Sequence, residues 1–235
     1  MTYTILGRCQ RTGRLGIGIA TFSITVGRYC WGVKSNTGVT VSQAFANERN
    51  NALGLRLLSQ GFTARSVLAQ LMENDRFAEY RQIGVIDRSG QAVAYTGPHT
   101  RGWSGQVVGD NYVAFGNGLV GPEVADAIAK GFLAEPEADL EHRLLMGIEA
   151  GRDAGGQGTR ERPKTERSSA LRVYSKDDYA DIDLRVDLHD KAIDELRRIW
   201  TVFKEYEPYY RARERHPTGA MGQEQFMKTL QTAEA

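Results

Sequence analysis

Cysteine is almost missing from the 235-residue chain: only Cys9 and Cys30 occur. Both fall in segments that read as strands, and two thiols cannot make a disulfide scaffold, so buried free thiols are expected. With no further cysteine, and no histidine close to either in sequence, a cysteine-based zinc site is excluded, and no metal or other cofactor is expected. No apolar run reaches the length of a membrane span. The first fourteen residues lack the apolar core and small-residue cleavage site of an export signal, which makes the cytoplasm the expected location. A charge excess is missing as well, since 30 basic and 29 acidic residues are scattered along the chain. That balance argues against a nucleic-acid or membrane-surface protein. What remains is a chain long enough to bury a core without cross-links.

The first half reads as hairpins. Strands over Tyr3–Cys9 and Leu15–Thr21 flank a turn at Arg11-Thr12-Gly13, and strands over Tyr29–Lys34 and Val39–Gln43 flank Ser35–Gly38. None alternates cleanly between apolar and polar, which implies burial on both faces. A helix carrying Leu53, Leu57 and Leu58 stops at Gly61. Thr63 can cap the next, whose Val67, Leu68 and Leu71 share a face. Strands at Gln82–Asp87 and Gln91–Tyr95 surround Arg88-Ser89-Gly90, and a further strand ends at Tyr112–Phe115. Val124, Ile128 and Phe132, then Leu140, Leu144 and Ile148, each form one apolar helical face. The stretch 150–167 reads as a long exposed charged loop. Strands follow at Ala170–Ser175 and Ile182–Leu188, then an amphipathic helix with Ile193, Leu196, Trp200 and Phe203. One domain over residues 1–205 and an arm over 206–235 are expected. Runs of strands separated by paired helices suggest antiparallel sheets under helical layers.

Three patterns bear on chemistry. Gly116-Asn117-Gly118-Leu119-Val120-Gly121 is a literal G-x-G-x-x-G between a strand and a helix, where backbone amides can hold a pyrophosphate. The acidic residue at the end of a second parallel strand, which a dinucleotide turn requires, is missing, so a tight corner is the simpler reading. Gly16-x-Gly18 lies within a strand and reads as a place of close approach. No G-x-S-x-G elbow exists, and the four histidines are dispersed. The remaining nucleophile candidate is Thr2. Removal of Met1 would leave its α-amino group beside its hydroxyl, and an α-amine titrates near 7.7–8.0. That is a nucleophile and base within one residue. A strand beginning at once would seat the terminus rigidly.

Several short motifs, in order and spacing, resemble an uncharacterised bacterial family, domain of unknown function 1028. They are Thr2-Tyr3-Thr4-Ile5, Thr12-Gly13-x-Leu15-Gly16, Val41-x-Gln43-x-x-x-Asn47, Arg81-Gln82-x-Gly84-Val85-x-Asp87-x-x-Gly90, Thr96-Gly97, Gly116-Asn117 and Leu184-Arg185-Val186-Asp187-x-His189. The resemblance runs from Thr2 to about Trp200. It implies an α+β fold of the Ntn-hydrolase-like kind, a four-layer αββα sandwich of antiparallel sheets. It implies activity more weakly, because fold does not fix function. The family usually carries Ser at the position of Thr4, making Thr4 a second candidate hydroxyl, and an acid where this chain has Gln157 after Ala154-Gly155-Gly156.

The expected function is an Ntn-type amidohydrolase acting on a small amide or short peptide, with a non-catalytic binding protein on the same scaffold as the alternative and a nucleotide-dependent enzyme behind it. Thr2 or Thr4 would attack, Asn117 and the Gly116–Gly118 backbone would hold the oxyanion, and Asp187 would order the site. Gln43, Asn47, Arg81, Arg185 and His189 are the expected substrate contacts. The aromatic and arginine-rich segment Tyr209–Arg215 suggests self-association into a homo-oligomer.

Overall fold

The computed structural model describes residues 1–29 and 32–233. Cys30 lies outside them. Two compact units are present, residues 1–196 and 197–235.

The first unit is built around β1 (Thr2–Arg8), which lies between β2 (Leu15–Thr21) and β8 (Tyr112–Leu119). The large sheet continues through β9 (Gln157–Gly158) and β10 (Pro163–Lys164) on one side, and through β11 (Ser168–Tyr174) and β12 (Ile182–Val186) on the other. A further strand, β7 (Trp103–Gly109), also pairs with β8. The second sheet is β3 (Gly32–Lys34), β4 (Gly38–Ala44), β5 (Arg81–Asp87) and β6 (Ala92–Thr96), in that order. Every strand pairing among the described residues is antiparallel.

Two helix pairs cover the outer faces. Helices α4 (Pro122–Leu133) and α5 (Leu140–Asp153) pack on β1, β2 and β8, while α2 (Glu48–Ser59) and α3 (Ala64–Asn74) pack on β4, β5 and β6. The result is the four-layer αββα sandwich that the sequence led us to expect. It also explains the strands that do not alternate. Leu6, Leu15, Ile17 and Ile19 face Val39, Val41 and Ile86 between the sheets. Ile83 and Val85 turn the other way, against Leu58, Val67 and Leu71. Both faces are therefore apolar, each buried large side chain contributing about 1.5–3 kcal/mol. The faces Val124–Ile128–Phe132 and Leu140–Leu144–Ile148 are buried as expected. Helix α5 comes so close to β2 that a Cβ on Gly18 would lie 2.9 Å from the Leu144 carbonyl oxygen, the close approach its glycines imply. Thr63 caps α3 by accepting from the Ser66 amide at 3.3 Å.

Three expectations change. Val26–Tyr29 forms a single helical turn, α1, and not the start of a strand, and Gly32–Lys34 is in β3. Gly116–Leu119 is not a strand-to-helix corner but the end of β8, and α4 is followed by α5, with no parallel strand. A dinucleotide-binding turn is thereby ruled out, since it needs that parallel strand. The 150–167 stretch is not wholly an exposed loop: it begins as the last turn of α5, forms the β9–β10 hairpin, and buries Gln157 and Glu166. Gln157 accepts from the Phe22 amide at 2.9 Å and donates to Glu166 at 3.2 Å, which ties the loop to the end of β2.

In the second unit α6 (Ala192–Arg215), which begins in the first, runs through the segment expected to start an arm and is followed by α7 (Gln223–Ala233). Tyr209 stacks on Phe226 with ring centroids 4.3 Å apart and donates from its hydroxyl to the Met221 carbonyl at 3.2 Å.

Candidate active site

The space between the sheets is apolar along most of its length and polar at one end. Antiparallel partners directly opposite one another share a face of the sheet. Thr2 is opposite Thr21 on β2 and Asn117 on β8, and Thr21 is opposite Ser168 on β11. Ser168, Thr21, Thr2 and Asn117 thus form one row across the large sheet. On the facing sheet Gln82 is opposite Gln43 and Thr96, a second polar row.

Hydrogen bonds join the rows. Thr4 donates to Gln43 Oε1 at 2.6 Å, and Gln43 Nε2 donates to Gln82 Oε1 at 2.8 Å. Asn117 Nδ2 donates to the same oxygen at 3.2 Å. Gln82 Nε2 in turn donates to Thr96 Oγ1 and to the Gly116 carbonyl, both at 2.8 Å. Gln43, Gln82 and Thr4 have no exposed surface. Neutral amides suit such a place, since each can be satisfied by its neighbours without a buried charge.

Thr2 sits at the edge of this network. Its Oγ1 is 3.1 Å from Thr21 Oγ1, and the Thr21 hydroxyl also contacts the Met1 carbonyl at 2.5 Å. A hydroxyl has one hydrogen. Thr21 gives its own to Met1, so Thr2 is the donor to Thr21. Met1 packs over Gly118, whose φ is +63° and where a Cβ would lie 2.2 Å from Met1 Cγ. With Met1 in place, Thr2 is 6% exposed. On the opposite face of β1, Tyr3 is held neutral: its burial, and then the nearby Glu166 carboxylate, raise its pKa well above the usual value.

The remaining candidates form two other groups. Asn47 and Arg81 meet around Asp75, which accepts from Asn47 Nδ2 and Asn50 Nδ2 at 2.9 Å and from Arg81 Nε at 3.0 Å. Burial would raise the Asp75 carboxyl, but these bonds outweigh it and hold the group well below the carboxylate range. Asn47 also caps α2. At the end of β12, Arg185 pairs with Asp183 at 2.8 Å, the Asp187 carbonyl accepts from the Thr25 amide, and His189 Nδ1 accepts from the Lys191 amide. The register that sets Ser169 opposite Val186 puts Asp187 three strands from Thr2, a separation of roughly 14 Å. The structure therefore brings together Thr2, Thr4, Asn117, Gln43, Gly116 and Gly118, and not Asn47, Arg81, Arg185, Asp187 or His189.

Four members of the two rows, Thr21, Ser168, Gln82 and Thr96, were not among the sequence candidates. Thr21 was within reach: a hairpin that pairs Arg8 with Leu15 must also pair Thr2 with Thr21. Among the described residues no cluster of three or more His, Cys, Asp or Glu side chains could hold a metal ion, and no helix is long and apolar enough to cross a membrane.

Fold and site together define a four-layer αββα sandwich whose first strand begins in a buried row of hydroxyl and amide side chains. The chain belongs to the family of unknown function DUF1028, which it matches over residues 2–196. Protein SPO2555 of Silicibacter pomeroyi, from the same family, is 28% identical, with a TM-score of 0.77 over 86% of this chain and 88% of that one. HslV from Trypanosoma brucei is 11% identical, with a TM-score of 0.40 over 74% of this chain and 99% of that one. Anbu, an ancestral beta-subunit from Yersinia bercovieri, is 11% identical, with a TM-score of 0.38 over 86% and 94%. No curated protein matches the chain.

Proposed function

We propose that this protein is an N-terminal-nucleophile amidohydrolase whose nucleophile is Thr2 after loss of Met1, acting on a small amide or short peptide. The observation that carries the reading is the pair of contacts Thr21 makes, one to Thr2 Oγ1 and one to the Met1 carbonyl. Cleaving the bond after Met1 removes that carbonyl, frees the Thr21 hydroxyl and opens the space over Gly118. The new α-amine then lies next to both hydroxyls. It takes the Thr2 proton as Oγ1 attacks the substrate carbonyl. Asn117, beside Thr2 in the row, has a second Nδ2 hydrogen with which to meet the oxyanion, a contribution of about 2.7–4 kcal/mol for one such donor. Collapse returns the proton to the leaving amine, and water then hydrolyses the Thr2 ester.

Thr4 is a weaker nucleophile on this reading, because its hydrogen is committed to Gln43 and it has no α-amine beside it. The partners the reading calls for are the amide substrate and further copies of this chain, in the cytoplasm. A second reading, a non-catalytic binding protein, is favoured by the burial of Thr2 while Met1 remains. Intact mass and turnover of a panel of amide substrates, measured on untagged protein, separate the two. Loss of Met1 with turnover that Thr2→Ala abolishes and Thr2→Ser retains is the expected result. Turnover by protein that keeps Met1, or that survives Thr2→Ala, would overturn it.

A further inference from the structure

The end of β1 opposite Thr2 holds a cavity that the proposed reaction does not use. Six residue steps of extended chain lead from Thr2 to Arg8, roughly 20 Å. Just beyond Arg8 lies a cavity of about 210 Å³, lined by Arg8, Cys9, Arg11, Asn111, Phe132 and Arg143, with Asp110 and Glu137 also on its wall.

Arg143 is the unusual member. It is 8% exposed, its Nε donates to the Phe132 carbonyl at 3.1 Å, and its guanidinium lies 4.2 Å from the centre of the Phe132 ring. Among the described residues no carboxylate lies within 4.0 Å of it. Buried arginines are nearly always paired, because an uncompensated charge out of water is costly. The other cations are occupied. Arg8 donates to the Arg88 carbonyl and to Asn111, and Arg11 to the carboxylate and carbonyl of Glu137. The wall therefore carries three cations against two carboxylates, with the excess charge inside and the four N–H groups on the two terminal nitrogens of Arg143 unused.

We infer that this cavity binds one small inorganic oxyanion, of the phosphate or sulfate type, with Arg143 as its anchor. The planar fork of a guanidinium matches two oxygens of such an ion, and the stacked Phe132 ring and Nε bond hold that fork in position. Arg11 stays paired with Glu137 at the rim, so the anchor is Arg143 alone. Two further observations agree. Burial lowers the Arg143 pKa and the Arg11 charge adds to this, outweighing Cys9 and Glu137, which act the other way. Burial would raise the Cys9 thiol, yet hydrogen bonds from the Thr12 side chain and from the Thr12 and Arg11 backbone outweigh it, so the thiol is lowered.

Calorimetric titration of the full chain with inorganic phosphate, at ionic strength held constant with chloride, tests the site. One saturable site is expected, with sulfate competing and acetate not. Arg143→Met should abolish the heat, and Arg143→Lys, which keeps the charge but loses the fork, should weaken binding at least tenfold. Phosphate should also slow alkylation of Cys9, read at its own peptide, by a factor that disappears with Arg143→Lys. Thr2→Ala should bind phosphate unchanged, which separates this site from the proposed reaction. Absence of saturable binding, or equal binding by wild type and Arg143→Lys, would overturn the assignment.

Discussion

The two ends of β1 bury polar groups in opposite ways. At the Thr2 end the buried groups are neutral: two glutamines, an asparagine and several threonines whose donors and acceptors answer one another between the sheets. At the Arg8 end the buried group is a guanidinium with a single hydrogen bond and an aromatic ring beneath it. Burying a hydrogen-bonded amide costs little net, whereas burying a charge without a partner costs several kcal/mol. The neutral end is therefore complete as protein, and removing any part of it should hurt. The charged end lacks its partner, and removing the charge should cost little. The same extent of burial thus gives opposite expectations.

The sharpest break would be made at Gln82. Its amide oxygen accepts from Gln43 and Asn117, and its nitrogen donates to Thr96 and the Gly116 carbonyl. Gln82→Leu fits the space but strands three buried polar groups, on Gln43, Asn117 and Gly116, and takes one bond from the half-buried Thr96. At about 1–3 kcal/mol for each unsatisfied group, and with some relief by rearrangement, a loss of about 3–5 kcal/mol is expected in urea unfolding. A loss below about 1 kcal/mol would show that the rows do not depend on one another, and the contrast between the two ends would fall. On the proposed reaction, the conservative Gln82→Glu would also disturb Asn117, and so kcat more than KM.

A compensated charge gives an intermediate case. Asp75 is buried beside Arg81 and accepts from Asn47 and Asn50, so its folded pKa lies below the unfolded one. A depressed carboxyl stabilises fully above its unfolded pKa, about 3.9, and that stabilisation disappears as pH falls toward the folded value. The wild type should therefore lose stability steeply below about pH 4, and Asp75→Asn should flatten that limb while being less stable at pH 7. Equal acid limbs in the two proteins would mean that other carboxylates set the acid transition.

The layers were legible in the sequence because each rests on periodicity. Val124–Ile128–Phe132 and Leu140–Leu144–Ile148 repeat at helical spacing, and the apolar, non-alternating strands announced burial on both faces. The site was legible in part, and the reason lies in register. Thr2, Thr4, Gln43 and Asn117 are hydroxyl or amide residues near strand ends, visible one at a time; that they meet depends on pairings of β4 with β5 and β1 with β8, across long loops. Gln82 looked like any polar residue at a strand start. Gly116–Leu119 misled because glycine spacing alone cannot distinguish a turn from a strand whose glycines admit a neighbour. β7 escaped notice because WSGQVVG is only half buried and carries no consistent period. Asp187 and His189 are kept from the candidate nucleophile by the two strands, β2 and β11, that lie between β1 and β12.

The smallest effect is expected where the sequence drew no attention at all. Arg143→Met keeps the length and much of the apolar surface that lies on Phe132 and deletes the charge. It gives up one hydrogen bond, to the Phe132 carbonyl, about 0.5–1.5 kcal/mol, and removes the cost of a buried cation that no carboxylate offsets. The two nearly cancel, so a change within about 1 kcal/mol of zero is expected in phosphate-free buffer. Adding phosphate should then separate the proteins: the wild type gains stability with ligand concentration and the variant does not. A large loss in phosphate-free buffer would instead mean that Arg143 is held as tightly as Gln82, with its partners among the protein's own groups, and the two ends of β1 would be alike.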